Sequence, residues 1–284
     1  MRPLSAAWRL LRDTLSGFIE DEALSWGASI AYYTLFSIAP VLLVVVAIAG
    51  LAFGREAAEG AIVDQFGGLM GRETAEALQG MIRSASDRMT GLVATLIGLV
   101  TILLATTGVF GEVQSAMNAI WKAAPPRSST LTRLVRARLV SLGLVVTSGF
   151  LLTVSLAASA ALASFSTYLK SVFPGAEVAL GVLDIVLSAG LIAGMFAAMF
   201  KVLPDTDIAW RDVVVGALAS TLLFEVGKYA ITLYIGQSNV ASSYGAAGAL
   251  IVLLVWIYYS AQIFLLGAEF SRAYTRRYGS HAKP

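Results

Sequence analysis

Residues 213–234 read VVVGALASTLLFEVGKYAITLY, an apolar run that carries Glu225 and Lys228 near its middle. The uncharged polar run GQSNVASSYG follows at 236–245, and a second apolar segment, Ala246–Ala268, comes after it. A charged side chain near the centre of a bilayer is costly and therefore marks a partner or a function. Two such groups lie here close to a Gly/Ser/Asn-rich turn, so their role is the main question that the sequence raises.

The composition indicates a polytopic membrane protein. The chain is 57% hydrophobic and 13% charged, with a mean hydropathy of +0.77, whereas about a quarter of the residues of a soluble domain are charged. The absence of Cys excludes disulfides, thiolate metal sites and a cysteine nucleophile. The only histidine, His281, lies in the tail, so a histidine-based triad in the core and a multi-histidine metal site are excluded. We therefore expect no enzyme activity, no cofactor and no bound metal.

Six windows are long and apolar enough to cross a hydrocarbon core of about 30 Å, which takes roughly 20 residues. They are Ala28–Phe53, Gly91–Phe110, Leu139–Ser164, Val178–Phe200, Val213–Tyr234 and Ala246–Ala268. Backbone groups in lipid must be satisfied within the segment, so each window is predicted to be a helix. The expected fold is a single all-α integral membrane domain over residues 1–284 with six transmembrane helices.

The positive charges predict the orientation of this bundle. With the N-terminus inside, the connections on the opposite side hold only Arg55, Arg72, Arg83, Arg88 and Lys170. The remaining Lys and Arg residues outside the spans fall on the inner side, where Lys and Arg are enriched in membrane proteins. Both termini are therefore predicted to lie in the cytoplasm, including the tail 271–284.

Three segments outside the spans have their own patterns. In the N-terminal segment, residues 1–27, charged residues interrupt the apolar ones, so we expect no cleaved signal peptide. Trp8, Leu11, Leu15 and Phe18 recur there at helical spacing, which is typical of an amphipathic helix at the membrane surface and equally of a packed soluble helix. The connection 54–90 is predicted to form two amphipathic external helices, either a structural cap or a gating element.

In the fifth window Thr221, Glu225, Lys228, Tyr229 and Thr232 are spaced to lie along one helical face. At about 1.5 Å per residue, Glu225 lies ~18 Å from Val213, close to the midplane of the core. Glu225 and Lys228 at i, i+3 can contact each other. The pair either lines a path for a substrate or ion, or it is a structural pair that locks the bundle.

Two other windows carry polar faces that could complete such a path. In the first window Ser29, Tyr33 and Ser37 recur every four residues, with Tyr32 adjacent and Pro40 predicted to kink the helix. Packing alone accounts for these hydroxyls as well as a cavity wall does. In the last window Tyr259, Gln262 and Glu269 share a face. Tyr244 belongs to residues 236–248, which we interpret as a flexible external gate or a re-entrant turn.

Several fragments, taken in order, closely resemble the YihY/BrkB family of bacterial inner-membrane proteins. The fragments are Asp21-Glu22, ASIAYYTLFSIAP at 28–40, AMNAIW at 116–121, KVLP at 201–204, Trp210, YGAAG at 244–248, Trp256, Tyr259 and GAE at 267–269. The resemblance extends over nearly the whole chain. It implies a six-helix inner-membrane protein linked to envelope integrity or virulence.

The family has also carried a ribonuclease BN label, which this sequence does not support. Phosphodiester cleavage is expected to need metal-binding His/Asp clusters and an exposed basic cleft, and the sequence has neither. We therefore expect membrane lipids rather than nucleic acid as partners, with a homo-oligomer as an open possibility. Since no ATP-binding motif is found, energy would have to come from a gradient or a partner.

These observations favour a transporter or flippase-like protein that moves a lipid, amphiphile or small solute through a polar cavity lined by the first, fifth and sixth helices. Glu225 and Lys228 would form its central charge pair, and Tyr32, Tyr33 and Tyr229 would line it. The same observations leave two alternatives open. One is a non-transporting scaffold for envelope integrity, and the other is a membrane-embedded enzyme that modifies lipids.

Overall fold

The computed structural model describes residues 3–87, 108–123, 176–237 and 246–280, together with residues 143, 147, 150 and 154. Within these ranges every regular element is a helix and no strand occurs. The helices are α1 (Pro3–Glu20), α2 (Ala23–Phe53), α3 (Arg55–Met70), α4 (Arg72–Asp87), α5 (108–120), α6 (Ala176–Val202), α7 (Trp210–Gln237) and α8 (Ala246–Tyr278). The described part of the chain therefore has the predicted all-α class.

Within the described ranges, three helices are long and apolar enough to cross a membrane, namely Gly181–Val202 in α6, Trp210–Tyr234 in α7 and Ala247–Tyr278 in α8. Helix α2 is a fourth if its two apolar arms count as one span. These four correspond to four of the six predicted windows. Most of the windows Gly91–Phe110 and Leu139–Ser164 lies outside the described residues, as do positions 238–245 with Tyr244.

Helix α2 bends by 47° between Ala23–Ala39 and Val41–Ala47, so the bend falls at Pro40, where the sequence predicts a kink. Proline has no amide hydrogen, and its ring clashes with the preceding turn, so the carbonyl of Phe36 loses its usual donor. Helix α2 contributes to two cores. Ile30 packs with α5 to α8, whereas Ile38 before the bend and Val45 after it pack with α3, α4 and α8.

Helix α1 differs in one detail from its predicted amphipathic pattern. Trp8, Leu11, Leu15 and Ile19 form its exposed apolar face. Phe18, predicted to belong to that face, instead packs against the core that α1 shares with α8. Phe18 follows Leu11 by seven residues and so lies only about 20° from it, at the edge of this face, and that edge is where α1 meets the core.

The connection between the first and second predicted windows contains two helices, as predicted, but only one has a clear apolar face. Helix α4 buries Ala75, Leu78 and Ile82 against α2 and α3. The apolar residues of α3 are spread around its circumference. Gly54 (φ 84°) and Gly71 (φ 87°) make the two reversals that bracket α3, in a left-handed region that disfavours residues with a Cβ atom.

The largest core lies where α5, α6, α7 and α8 meet, and phenyl rings dominate it. Phe196 and Phe200 of α6 stack against Phe264 of α8, with ring centroids 6.2 and 5.3 Å from it. Phe224 of α7 meets Phe196 edge-on at 6.1 Å. Such aromatic pairs contribute about 0.5–1.5 kcal/mol each beyond their buried area. This cluster therefore holds α6, α7 and α8 together.

Helices α7 and α8 also approach each other closely through small residues. Gly216 and Ser220 on α7 lie against Ser271 and Gly267 on α8, so each glycine faces a serine of the other helix. Ser220 and Ser271 are fully buried. A Cβ atom on either glycine would overlap the facing serine, so the contact requires glycine at both positions. Small residues four apart are a recurrent interface of helices in membranes.

Candidate functional site

The charge pair at the centre of the predicted path forms within a single helix. Lys228 Nζ donates to Glu225 Oε2 at 2.7 Å, and the ammonium lies 5.8 Å from the ring centroid of Tyr229. Both charged side chains are about one-third exposed, 29% for Lys228 and 30% for Glu225. The two charges therefore neutralise each other locally while remaining accessible on the surface of α7.

The other residues of the α7 stripe do not share one environment. Thr221 is buried and donates to the carbonyl of Ala217 at 2.8 Å. Tyr229 is 70% exposed, and Thr232 is also exposed. Steps of four residues advance about 40° around a helix, so residues 221, 225 and 229 move from the packed side to the outer side. These polar residues therefore wind around α7 from its packed side to its exposed side, so they do not form one cavity wall.

The polar residues of α2 lie apart from those of α7. Tyr32 and Tyr33 are exposed, and their rings contact each other edge-on at 5.6 Å. Ser37 is buried but donates to the carbonyl of Tyr33 at 2.8 Å, so its hydroxyl is satisfied within its own helix. Ser29 is half-buried. The structure thus does not bring these residues together with Glu225, because helical spacing fixes a face but not the neighbour that the face meets.

The three predicted residues of α8 occupy two different places. Tyr259 packs with Ile263 against Gly227 of α7. The Gln262 amide lies against Gly27 and donates to the carbonyl of Leu24 at 3.5 Å. Glu269, two turns further along, joins a cluster of charges near the end of α8. Among the predicted path residues that the structure describes, Glu269 alone therefore belongs to a buried network that connects several helices.

Asp21 is the centre of this network, and sequence reasoning missed its role. It lies in the turn between α1 and α2, with only 3% of its side chain exposed. Arg272 Nη1 donates to Asp21 Oδ2 at 2.8 Å, and Lys122 Nζ bonds Asp21 Oδ1. Arg272 also lies 3.6 Å from Glu269 Oε2. Two carboxylates and two cations from three parts of the chain thus form a compact group with no formal net charge.

Two further polar contacts join the same end of the bundle. Asp212, at the start of α7, accepts from Ser280 N at 3.0 Å and from Ser280 Oγ at 2.7 Å. Asn118 of α5 and Asp205 exchange hydrogen bonds of 2.9 and 2.7 Å. We name this end, residues 13–22, 118–122, 201–212 and 269–280, the polar end. The ends of five helices meet there, which no periodicity within a single helix could indicate.

A cavity of about 570 Å³ lies at the polar end between α1 and α8. Its walls are Asp13, Ser16, Gly17, Glu20, Glu269, Arg272, Ala273, Arg276 and Arg277. A second cavity, of about 370 Å³, lies on the other side of the α1–α2 turn beside Trp26, Asn118 and Lys122. The described cavities therefore flank the Asp21 network, whereas the predicted cavity was placed beside Glu225.

These features define a membrane protein made of apolar helices, with a buried ionic network around Asp21 at the polar end. The chain belongs to the family described as Virulence factor BrkB, which it matches over residues 14–284. The family resemblance inferred from the sequence is thereby confirmed.

Individual relatives are all named UPF0761 membrane proteins. The chain is 30% identical to the one from Alcanivorax borkumensis over 258 residues, 90% of this chain and 58% of that protein. It is 32% identical to the one from Ralstonia nicotianae over 256 residues, 88% of this chain and 55% of that protein. For Pseudoalteromonas translucida the identity is 27%, over 88% of this chain and 81% of that protein. The chain thus spans little more than half the length of the first two relatives, and no solved structure matches it.

Proposed function

We propose that this membrane protein is a transport protein that moves a lipid, an amphiphile or a small solute across the bacterial inner membrane. In this proposal six helices span the membrane, and both chain ends lie in the cytoplasm. The polar end then faces the cytoplasm, since it includes the end of α8 with Arg276 and Arg277. The orientation rests on the uneven distribution of Lys and Arg between the two sides.

The observation that carries the proposal is the accessible charge pair within the α7 span. Trp210–Tyr234 is long and apolar enough to cross a membrane, and Glu225 and Lys228 interrupt it with ionised groups that are each about 30% exposed. Charges at this depth are expensive unless they face a cavity, a partner helix or water. A pair kept there and left partly accessible favours contact with a polar molecule in transit.

Energy for net movement would come from a gradient or a partner protein, because the sequence carries no ATP-binding motif. The alternative of downhill movement between leaflets needs no energy input. In either case the substrate is a membrane lipid or a small solute rather than a nucleic acid. Self-association into a homo-oligomer is compatible with this role.

The experiment is a flux assay on the full chain reconstituted in vesicles. Two probes are used, a fluorescent phospholipid whose exposure in each leaflet is measured by quenching, and an entrapped ion-sensitive dye. We expect flux of one probe above that of protein-free vesicles, and a decrease of about tenfold in Glu225→Gln, equivalent to ~1.4 kcal/mol on the barrier. Glu76→Gln, an exposed carboxylate on α4, is the matched control.

Equal flux of both probes in the wild type, Glu225→Gln and protein-free vesicles would reject the proposal. That result would favour the second candidate, a non-transporting scaffold for envelope integrity. One observation supports the scaffold: the reciprocal glycine and serine contacts leave no space between α7 and α8 beside Gly216 and Gly267. A scaffold requires such a closed interface, whereas a transporter needs one of its interfaces to open.

A further inference from the structure

The cavity between α1 and α8 has a charge pattern that no residue of the proposed α7 path explains. Three carboxylates and three guanidinium groups line it, so its formal charge is zero. They are Asp13, Glu20, Glu269, Arg272, Arg276 and Arg277. A cavity that selected a simple anion or a simple cation would carry an excess of one sign. Balanced charges instead fit a ligand that itself carries both.

Two buried atoms at this cavity lack partners among the described residues. Glu269 is 2% exposed, yet its Oε1 accepts no hydrogen bond, while its Oε2 lies 3.6 Å from Arg272. Arg277 donates from Nη2 to Asp13 at 3.1 Å, but its buried Nη1 has no acceptor. A buried polar atom without a partner is destabilising. Glu269 and Arg277, which carry this unfilled acceptor and this unfilled donor, both line the same cavity.

The surrounding structure holds the carboxylate in place. Gly17 of α1 lies against the Glu269 carboxyl group, and a Cβ atom at position 17 would overlap it. Arg272, which is only 16% exposed, ties Glu269 to Asp21. Gly17 and Arg272 lie nearest to Oε2 and the carboxyl carbon, so Oε1 remains for another hydrogen-bond donor.

The axial order of these groups sets the arrangement of a ligand. Glu269 and Arg277 are eight residues apart on α8, a rise of about 12 Å. Side chains on a helix all lean toward its N-terminus, so Glu269 on one side and Arg276 and Arg277 on the other stay separated along the axis. A ligand with a hydrogen-bond donor at the Glu269 end and an oxyanion at the Arg276–Arg277 end would fill the cavity along its length.

We propose that this cavity binds a zwitterion carrying a primary ammonium and a phosphate, the chemistry of a phosphatidylethanolamine headgroup. The ammonium donates to Glu269 Oε1, and Glu20 adds a second negative charge at that end. The phosphate accepts from Arg277 Nη1 and Arg276, since guanidinium groups suit phosphate oxygens. The inference specifies the substrate class of the transport function and depends on it for its biological role, but binding is measurable without flux.

The test is a binding titration of the purified full chain in detergent, followed by native mass spectrometry. Phosphatidylethanolamine, phosphatidylglycerol and phosphatidylcholine with identical acyl chains are the probes. Phosphatidylglycerol has the phosphate without an ammonium, and phosphatidylcholine has a quaternary ammonium without an N–H donor. We expect phosphatidylethanolamine to bind about tenfold more tightly than either, the effect of one charge-assisted hydrogen bond.

Variants locate the binding site. Glu269→Gln and Arg277→Gln should abolish the preference for phosphatidylethanolamine. Glu269 is buried in an ionic network, so its replacement can also lower stability. Glu20 and Arg276 are exposed, and the variants Glu20→Gln and Arg276→Gln therefore keep the fold. Each of these two variants should weaken phosphatidylethanolamine binding about threefold. Glu76→Gln and Arg72→Gln on α4, which make the same charge changes far from the cavity, should bind as the wild type does.

Equal affinity for the three lipids, or wild-type selectivity in both Glu20→Gln and Arg276→Gln, would overturn the inference. Soluble glycerophosphoethanolamine distinguishes the source of the headgroup. If glycerophosphoethanolamine displaces the lipid when both are at the same concentration, the site binds a free zwitterion. If it displaces the lipid only weakly, the site binds the membrane lipid. Selective binding without flux would reject the transport proposal alone, and flux without selective binding would reject this inference alone.

Discussion

Two ionic groups in this protein are built in opposite ways. Glu225 and Lys228 are three residues apart on one helix and form their ion pair without help from any other element. Asp21 instead meets Lys122 and Arg272, which are 101 and 251 residues away in the chain. The local pair remains partly exposed, whereas the Asp21 carboxylate is almost fully enclosed. The first contact therefore lies within one helix, and the second holds helices together.

The largest difference between the two ionic groups is expected when the charge of Asp21 is removed. Asp21→Asn leaves Lys122 and Arg272 beside an amide, with only Glu269 to balance them. Removing one partner of a buried ionic group costs about 3–5 kcal/mol, so we expect a large decrease in the free energy of unfolding. Thermal unfolding of the purified protein in detergent measures it.

Asp64→Asn, at an exposed carboxylate of α3, is the control for the Asp21 variant. If both variants unfold at the wild-type temperature, Asp21 does not stabilise the fold and the contrast between the two charge groups disappears.

The glycine–serine interface tests whether α7 and α8 can separate. Gly267→Ala places a methyl group against Ser220, and overfilling such a contact costs about 1–3 kcal/mol. The unfolding temperature should fall in this variant. Gly190→Ala on α6, where nothing lies within 4 Å of the added atom, should leave it unchanged. An equal effect at both glycines would mean that helix propensity rather than packing decides the outcome.

The smallest expected effect on stability is that of the local pair itself. Glu225→Gln breaks one i, i+3 ion pair of partly exposed groups, worth about 1 kcal/mol or less. The double variant Glu225→Gln/Lys228→Gln should recover part of this loss because no unpaired charge remains. The same unfolding measurement applies. A loss for Glu225→Gln as large as that for Asp21→Asn would make the α7 pair a structural element and weaken the case for its role in transport.

The sequence predicted those features that depend on neighbours along the chain. The spans of α6, α7 and α8, the bend at Pro40 and the pairing of Glu225 with Lys228 all follow from residue spacing within one segment. The i, i+3 spacing of Glu269 and Arg272 could have indicated their contact in the same way, but sequence reasoning did not pair them. It did not indicate that Asp21 lies between Arg272 and Lys122, since these contacts link segments that are far apart in sequence.

The predicted wall of the path combines residues of several helices, which helical spacing cannot place relative to one another. Tyr32 and Tyr33 were assigned to a cavity with Glu225 because each helix has a polar face, but the structure turns these tyrosines outward. A helical period determines which residues share a face, and only the packing of helices determines what that face meets. The two cavities at the polar end arise where the ends of several helices converge, so no single segment encodes them.

By itself the sequence determined that this chain is an all-α membrane protein, because apolar length and the need to satisfy backbone hydrogen bonds in lipid leave few other solutions. It also placed a charge pair in the middle of one span. The tertiary structure alone decided which charges are buried, which helices they join and where cavities form. Burial and ionic contact depend on the positions of several helices at once, and those positions are set by packing between phenyl rings, between glycines and serines, and around Asp21.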